Sequence, residues 1–414
     1  MIGPLNPRHR LDVSTRDLLY AALACVFARS REQRAAAVAG GWSREGLACR
    51  SLRSAFDLLL AAVVLPRGSE VLMSAITHPD MVRIARTHGL TVVPIDLDHE
   101  TLAPQLDSLE RAVTSRTRML VVAHLFGTRI DLGPLAELAR VHNLLLVEDC
   151  AQGFVSPAET GDPHADVSLY SFGSIKTATA LGGALVRVRD SALRARMSRI
   201  QAGYPVQPRT AFARKVLATL ALSVLGRPAL YGLAFRFWRN GGRSFDELLE
   251  HVVRGFATLP DDEFYRRIRE QPSAPLLALL ARRLRTFDGT RLARRARLGE
   301  ELAASLAPDL SHPGGRAPVR THWLFPVTAA DPPTLVATLR AAGFDATPAT
   351  TSICVVRAPR DRPELEPVDA ARLLRQVVFV PAYPELRAGE QRRLCALLAS
   401  PSSATRARPR VAAA

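Results

Sequence analysis

Two side chains in the middle of the chain could do chemistry together. Asp149 closes an apolar run beginning at Leu144, which reads as a buried strand ending in Glu148-Asp149-Cys150-Ala151-Gln152. Lys176 follows 27 positions later in Ser171-Phe172-Gly173-Ser174-Ile175-Lys176-Thr177, after a second short apolar run from Val167 to Phe172 and before Gly182-Gly183. A carboxylate at a strand end and an amine in a polar turn meet the needs of pyridoxal phosphate, whose ring nitrogen requires an anion and whose aldehyde requires an amine. Asp149 is the candidate for keeping that nitrogen protonated. Lys176 is the candidate for attachment and proton transfer, because a lysine amine readily loses its charge when desolvated or set near another cation. Among 55 Lys and Arg residues, lysine occurs only at 176 and 215, so its use at this junction is conspicuous.

The elements that must hold these groups alternate along the chain. Helical patterns are expected at Ala55–Val64, Pro79–His88, Leu106–Val113 and Leu132–His142, and strands at Glu70–Ala75, Thr91–Ile95, Arg118–His124 and Leu144–Glu148. Near-continuous apolar strands between helices predict a mainly parallel sheet covered on both faces. Ligands of such sheets sit beyond the carboxyl ends of the strands, where Ser74-Ala75, His124, Asp149 and Ser171 all fall. Cys49-Arg50-Ser51-Leu52-Arg53-Ser54-Ala55 precedes the first core helix, where free backbone N–H groups would point at an anion such as a phosphate.

Three blocks, Val122-Ala123-His124-Leu125-Phe126-Gly127, Glu148-Asp149-Cys150-Ala151-Gln152 and Ser171-Phe172-Gly173-Ser174-Ile175-Lys176, resemble the signatures of the DegT/DnrJ/StrS sugar aminotransferases. The resemblance runs from about Cys49 to about Leu398 and is weakest between Gln201 and Glu263. It implies the type I pyridoxal-phosphate transferase fold: an α/β large domain with a mainly parallel sheet flanked by helices, and a smaller C-terminal α+β domain. It also implies a cofactor site built from Arg53, Ser54, His78, Asp149, Gln152, Ser171 and Lys176, with Lys176 and Asp149 catalytic. Arg53, Ser54 and Ser171 would contact the phosphate, His78 would lie on the ring and Gln152 near the ring hydroxyl. His124 lies at a strand end near the site, where a structural hydrogen bond explains it equally well. Three positions depart from the family pattern. Ser51-Leu52-Arg53 stands where Ser-Gly-Thr is usual. Leu181 replaces an acidic residue before Gly182-Gly183. Arg269-Glu270-Gln271-Pro272-Ser273 lacks the asparagine that the neighbouring subunit normally donates, which makes Arg269 a candidate substitute.

The implied activity is transfer of an amino group from an amino acid such as glutamate to a keto-sugar, nucleotide- or lipid-linked, in glycan or secondary-metabolite biosynthesis, by a homodimer. Two rivals are a pyridoxal-phosphate dehydratase or eliminase, and a non-catalytic membrane-associated protein that keeps the fold. Family dehydratases generally lose the lysine, so Lys176 favours amino transfer.

Composition sets the remaining bounds. At 414 residues, with 48% hydrophobic content, the chain supports more than one core. We divide it into an N-terminal helical segment (1–48), a large domain (49–272) carrying an apolar helical insertion (201–262), a connector and small domain (273–399), and a disordered tail (400–414). A single helix is expected from Ser14 to Val38, stopped by Gly40-Gly41. The net charge of +16 raises nucleic acid as a partner, but with 6% aromatic residues no basic helix interleaves aromatics in a nucleic-acid-binding pattern. Five scattered cysteines suggest a reducing compartment and no metal site. The N-terminus lacks a secretory pattern, so a cytoplasmic location is expected. Apolar residues 216–238, split by Arg227-Pro228, are each half too short to span a bilayer. They suit either peripheral contact with the inner membrane face or a helical hairpin covering the core or a dimer contact.

Overall fold

A computed structural model describes residues 5–225, 259–348 and 353–400. In chain order its first elements are α1 (Thr15–Phe27), α2 (Arg31–Trp42), β1 (Gly46–Cys49), α3 (Leu52–Val63), β2 (Glu70–Ser74), β3 (Ile76–Thr77), α4 (Pro79–Thr87) and β4 (Thr91–Ile95). There follow α5 (Leu106–Ala112), β5 (Thr117–Ala123), β6 (Thr128–Arg129), α6 (Gly133–Val141), β7 (Leu145–Asp149), β8 (Val167–Ser171), β9 (Ala184–Val188), α7 (Ser191–Ala202) and α8 (Arg209–Leu225). The C-terminal part has α9 (Asp261–Ile268), α10 (Ala274–Arg285), α11 (Gly289–Ala304), β10 (Val319–Arg320), β11 (Phe325–Thr328), α12 (Pro332–Ala341), β12 (Thr347–Pro348), β13 (Cys354–Val355), α13 (Val368–Gln376), β14 (Val377–Val380) and α14 (Ala388–Leu398).

The large sheet has the order β1-β9-β8-β7-β5-β2-β4. Its five strands from β8 to β4 are parallel, while β9 runs antiparallel to both β8 and β1. Strands such as Met119-Leu120-Val121-Val122 are buried on both faces. One face packs α3, α4, α7 and α9 through Phe56, Leu59, Ile84, Met197 and Phe264. The opposite face is covered by α5 and α6 at one end, through Leu109 and Leu135, and by α1, α2, α8 and α10 at the other, through Leu18, Trp42, Phe212 and Leu277. A separate core holds the small three-stranded sheet, ordered β11-β14-β12, against α11, α12 and α14. The α/β architecture, with a mostly parallel sheet between helices, is the one expected.

Several local expectations need correction. The helix expected over 14–38 is two helices, because Ser30 adopts a left-handed conformation (φ 55) between α1 and α2. The Gly40-Gly41 pair does not stop α2, which continues to Trp42. Trp42 is buried edge-on against Tyr170 at 5.4 Å, and that burial outweighs the roughly 1 kcal/mol per glycine that helix propensity costs. Residues 273–306 likewise hold two helices, with Asp288 capping α11 through the N–H groups of Thr290 and Arg291. β11 begins only at Phe325, since His322 turns with φ 46 and carries Trp323 toward the lysine loop. Of the apolar segment 216–238, α8 sends Val216 and Thr219 inward, after Phe212, and leaves Leu217 exposed. Residues 226–238 and the tail beyond residue 400 lie outside the described residues. No described helix is long and apolar enough to cross a membrane.

Candidate active site

Asp149 ends β7, held between two parallel neighbours. The ladder sets it beside Ala123 of β5 and Leu169 of β8. The residue is 7% exposed, and its carboxylate's one hydrogen bond among the described residues is from the Ala151 N–H at 2.9 Å. Burial raises its pKa, against the opposing pull of the Ala151 N–H and the positive fields of Lys176 and His124. A buried carboxylate supported by one neutral donor is poorly compensated, and a protonated ring nitrogen would supply the missing cation.

The loop after β8 presents Lys176. Gly173 O accepts from Lys176 N–H at 3.0 Å, and Phe172 O accepts from both Ala180 and Gly182, folding the segment into a tight turn. Left-handed backbone at Ala178, Leu181 and Gly183 completes the reversal into β9. The Lys176 ammonium lies 4.0 Å from the centroid of the Trp323 ring, a cation–π distance. Trp323 is itself fixed by its indole N–H, which donates to Ile175 O at 2.9 Å. The loop is also strapped from the N-terminal side. His9 Nε2 lies 3.1 Å from Ile175 O, and Asp12 accepts from Ala178 N–H at 2.8 Å. The same strap reaches the small sheet's core, through Arg8 on Asp345 and a bridge between Asn6 and Phe344.

At the start of α3, Ser51 is the N-cap, accepting from Ser54 N–H at 3.2 Å, with the two hydroxyls 2.8 Å apart. Arg53 pairs with Asp80 and reaches His78 Nε2 at 2.9 Å. His78 is the N-cap of α4, its Nδ1 lying 3.2 Å from the Asp80 N–H. A neutral imidazole has one acceptor nitrogen, so it serves one of these two donors at a time. Gln152 Oε1 accepts from Phe126 N–H at 2.8 Å, which orients its amide across the end of the sheet. The Ser171 hydroxyl accepts weakly from Gly173 N–H, at 3.5 Å. A helix start with serines and an arginine, a buried carboxylate and a loop amine together suit a phosphorylated pyridine aldehyde.

Behind Asp149 sits a closed polar network. Glu148 receives His124 at 2.8 Å, Arg129 at 2.6 Å and the Asp162 N–H at 2.9 Å, while Arg129 also donates to the Tyr170 hydroxyl at 3.0 Å. Burial works against ionisation of Glu148, yet His124 and Arg129 hold it well below the usual carboxylate range. Ligand-type atoms of His124, Glu148 and Cys150 lie within 4.8 Å of one another. The Arg129 guanidinium on the same carboxylate opposes a second cation there. His124 therefore serves the network that backs the site. Arg269, the candidate substitute for the missing asparagine, is committed elsewhere in its own chain, with two bonds to Asp57 at 2.9 and 3.0 Å.

Sequence reasoning missed the strap residues His9 and Asp12, and Trp323 and Arg295 on the far side of the loop. Nothing in the run His322-Trp323-Leu324 marks Trp323, because the positive φ of His322 that breaks the strand there is visible only in the structure. Nothing local distinguishes Arg295 among its arginine neighbours.

Residues 27–218 match the model of the DegT/DnrJ/EryC1/StrS aminotransferase family. This stretch, a little under half of the chain, is similar to that family. Among curated relatives, GDP-perosamine synthase of Escherichia coli O157:H7 is 31% identical over 141 residues, 34% of this chain and 39% of that protein. The alignment thus spans well under half the length of that relative. Solved structures extend the likeness in fold to nearly the whole chain. An aminotransferase, TlmJ from Streptoalloteichus hindustanus, gives a TM-score of 0.66 at 17% identity over 96% of this chain and 98% of its own. NtdA from Bacillus subtilis, solved with bound cofactor PMP, gives 0.66 at 16% identity over 93% and 82%. The family and the type I fold are those implied by the three sequence blocks.

Proposed function

We propose that the protein is a pyridoxal-phosphate-dependent aminotransferase that moves an amino group from an amino acid, glutamate in the simplest case, to a keto-sugar carried on a nucleotide or lipid. The observation that carries this reading is the pairing of Asp149, a buried carboxylate lacking a cation in hydrogen-bond contact, with the Lys176 amine one strand away at the same end of the sheet. The relatives' names supply the substrate class. GDP-perosamine synthase and a UDP-linked 3-aminotransferase of Acidithiobacillus ferrooxidans, 30% identical over 151 residues, both point to nucleotide-linked sugars.

The cofactor, when bound, supplies an electron sink and carries the amino group between two half-reactions. Asp149 holds a proton on the ring nitrogen. The α3 start, with Ser51, Arg53 and Ser54, and Ser171 across the cleft bind the phosphate. Arg53 also ties α3 to the cap of α4, so a phosphate contact draws on a guanidinium already oriented by Asp80 and His78. His78 offers its ring face, and Gln152 offers its amide N–H groups, since its oxygen is taken by Phe126. The Lys176 amine takes the proton from the donor's α-carbon and returns one to the acceptor carbon. Trp323 keeps that amine in place between these acts.

We further infer a homodimer with its sites at the subunit contact, as the sequence resemblance implies. For residues 216–225, burial of Val216 and Thr219, following Phe212, favours a helix that covers the core over one lying in a membrane interface.

The test is the absorption spectrum of purified protein with pyridoxal phosphate, wild type beside Lys176→Ala, before and after glutamate. A visible band that glutamate bleaches in the wild type and that Lys176→Ala lacks supports the reading. A wild type without any band overturns it.

A further inference from the structure

The first helix is apolar on two opposite faces. α1 buries Leu18, Ala21 and Ala24 against α8 and α10. On the other face Leu19, Leu23, Val26 and Phe27, at i, i+4, i+7 and i+8, are 55, 59, 68 and 71% exposed. Leu217 of α8, which packs along α1, is exposed as well. One exposed leucine is ordinary, whereas four large apolar side chains at helical spacing make a continuous ridge. The rim of that ridge is basic. Arg16 precedes Leu19 by three residues and Leu23 by seven, which sets it on the same face. At the other end Arg209 donates to Cys25 O and Val26 O at 3.4 and 3.3 Å, beside Phe27, and the exposed Arg29 follows. Between Val13 and Arg44 five arginines stand against two carboxylates, and both carboxylates are engaged, Asp17 with Arg282 and Arg283 and Glu32 with Arg31.

We propose that α1 docks the protein on an anionic lipid surface, its ridge entering the boundary between headgroups and acyl chains while the arginines around it meet the lipid phosphates. Charge complementarity selects this partner. A second copy of the chain fits poorly, because a two-fold contact between ridges would bring Arg16, Arg29 and Arg209 of one copy near the same arginines of the other, and like charges oppose that. Between Asp17 and Arg29 the helix carries no charged side chain, and its ridge is convex. Such a surface suits a fluid layer that closes around it, with the flexible arginine stems lying along the apolar boundary. The 13 residues of α1 extend about 20 Å, short of the roughly 30 Å hydrocarbon core, so the helix lies on the membrane and does not cross it. The net charge of +16 adds long-range attraction to the same surface. This contact is distinct from the 216–238 segment, whose Val216 and Thr219 turn inward, and it does not depend on the chemistry at Lys176.

The test is co-sedimentation of the full-length protein with vesicles of phosphatidylcholine, alone or in equal mixture with phosphatidylglycerol, wild type beside the double variant Leu23→Gln/Phe27→Gln. Both positions are exposed and the net charge is unchanged, so the fold and the general attraction of a basic protein persist; circular dichroism melts verify the first. The wild type is expected to bind the mixed vesicles about tenfold or more tightly than the double variant does, and more tightly than it binds phosphatidylcholine alone. Arg16→Gln/Arg29→Gln should weaken binding to the mixed vesicles, most clearly at low salt. The proposal is overturned if the wild type stays in solution, or if the double variant binds as tightly as the wild type, which would leave charge alone as the cause. It is also overturned if light scattering shows the double variant losing a subunit, which would assign the ridge to a second copy. Should the double variant melt early, Leu19→Gln/Val26→Gln decides by the same assay. Sedimentation needs no cofactor, so its outcome and that of the spectral test at Lys176 stand or fall separately.

Discussion

Lys176 and Trp323, 147 residues apart in the chain, meet with the ammonium 4.0 Å from the ring centroid, and the indole N–H closes the pair onto Ile175 O at 2.9 Å. The ring thus holds the side chain while its nitrogen holds the backbone beside it. Trp323→Phe keeps a ring and loses the second grip. We expect a loss of roughly 1–2 kcal/mol in thermal unfolding and a several-fold weaker cofactor, read from the visible band, because the Ile175 carbonyl loses the indole N–H and keeps only its contact with His9.

Gly127 makes that pairing possible. It has φ +99, its carbonyl accepts both the N–H and the hydroxyl of Thr321, and a Cβ there would collide with Trp323 N. Gly127→Ala must move the Trp323 backbone or its own. The expected outcome is destabilisation of about 2–4 kcal/mol and a slowed donor half-reaction, with Gly68→Ala, where a Cβ meets nothing, as the control for positive φ alone.

Asp149→Asn separates charge from shape. The amide oxygen can keep the Ala151 N–H, so the fold survives. Because burial raises the Asp149 pKa, the cofactor-free protein has its full contribution from this group below the ordinary carboxylate value and loses it as pH rises through the elevated one. The variant should therefore melt no lower than the wild type at pH 7 without cofactor, while kcat with cofactor falls by about 100-fold or more. A lower melting temperature at pH 7 would contradict the assignment.

Acid should loosen the strap and the small sheet's packing. Burial holds His9 and His312 at about 4, His9 also through Arg295 and Arg291, and His322 shifts the same way. Their folded-state stability is complete above the ordinary histidine value and drains as pH falls from about 6.5 toward 4, because the unfolded chain takes up the protons first. His312 stacks on Phe325 at 4.6 Å and contacts Pro326 O at 2.8 Å. In His312→Gln, which keeps a donor for that carbonyl, the fall in melting temperature between pH 7 and 4.5 should be shallower.

Asp17 anchors α1 to α10. It accepts from Arg282 and Arg283, each at 2.8 Å, and completes a capping box with Ser14. Asp17→Ala leaves Arg283 buried with only Asp12 as an ionic partner. A cost of roughly 3–5 kcal/mol in chemical unfolding is expected, and Asp17→Asn should recover part of it.

The sequence by itself determined the alternation of elements, the parallel strands and the two groups at their ends. Those follow from patterns that act over a few residues: apolar runs such as Met119–Val122, the serine cap before α3, and a carboxylate or lysine where a strand stops. The same local reach explains its errors. Gly40-Gly41 reads as a helix stop until Trp42 finds Tyr170, and the residues that orient Arg53, Asp80 and His78, arrive only from another helix. Only the tertiary structure decided what surrounds Lys176. The N-terminal strap, Trp323 and Arg295 reach the loop from positions more than 100 residues away in either direction, and the contacts that select them, a ring face, a carbonyl and the Thr177 hydroxyl, exist only once the chain has closed on itself.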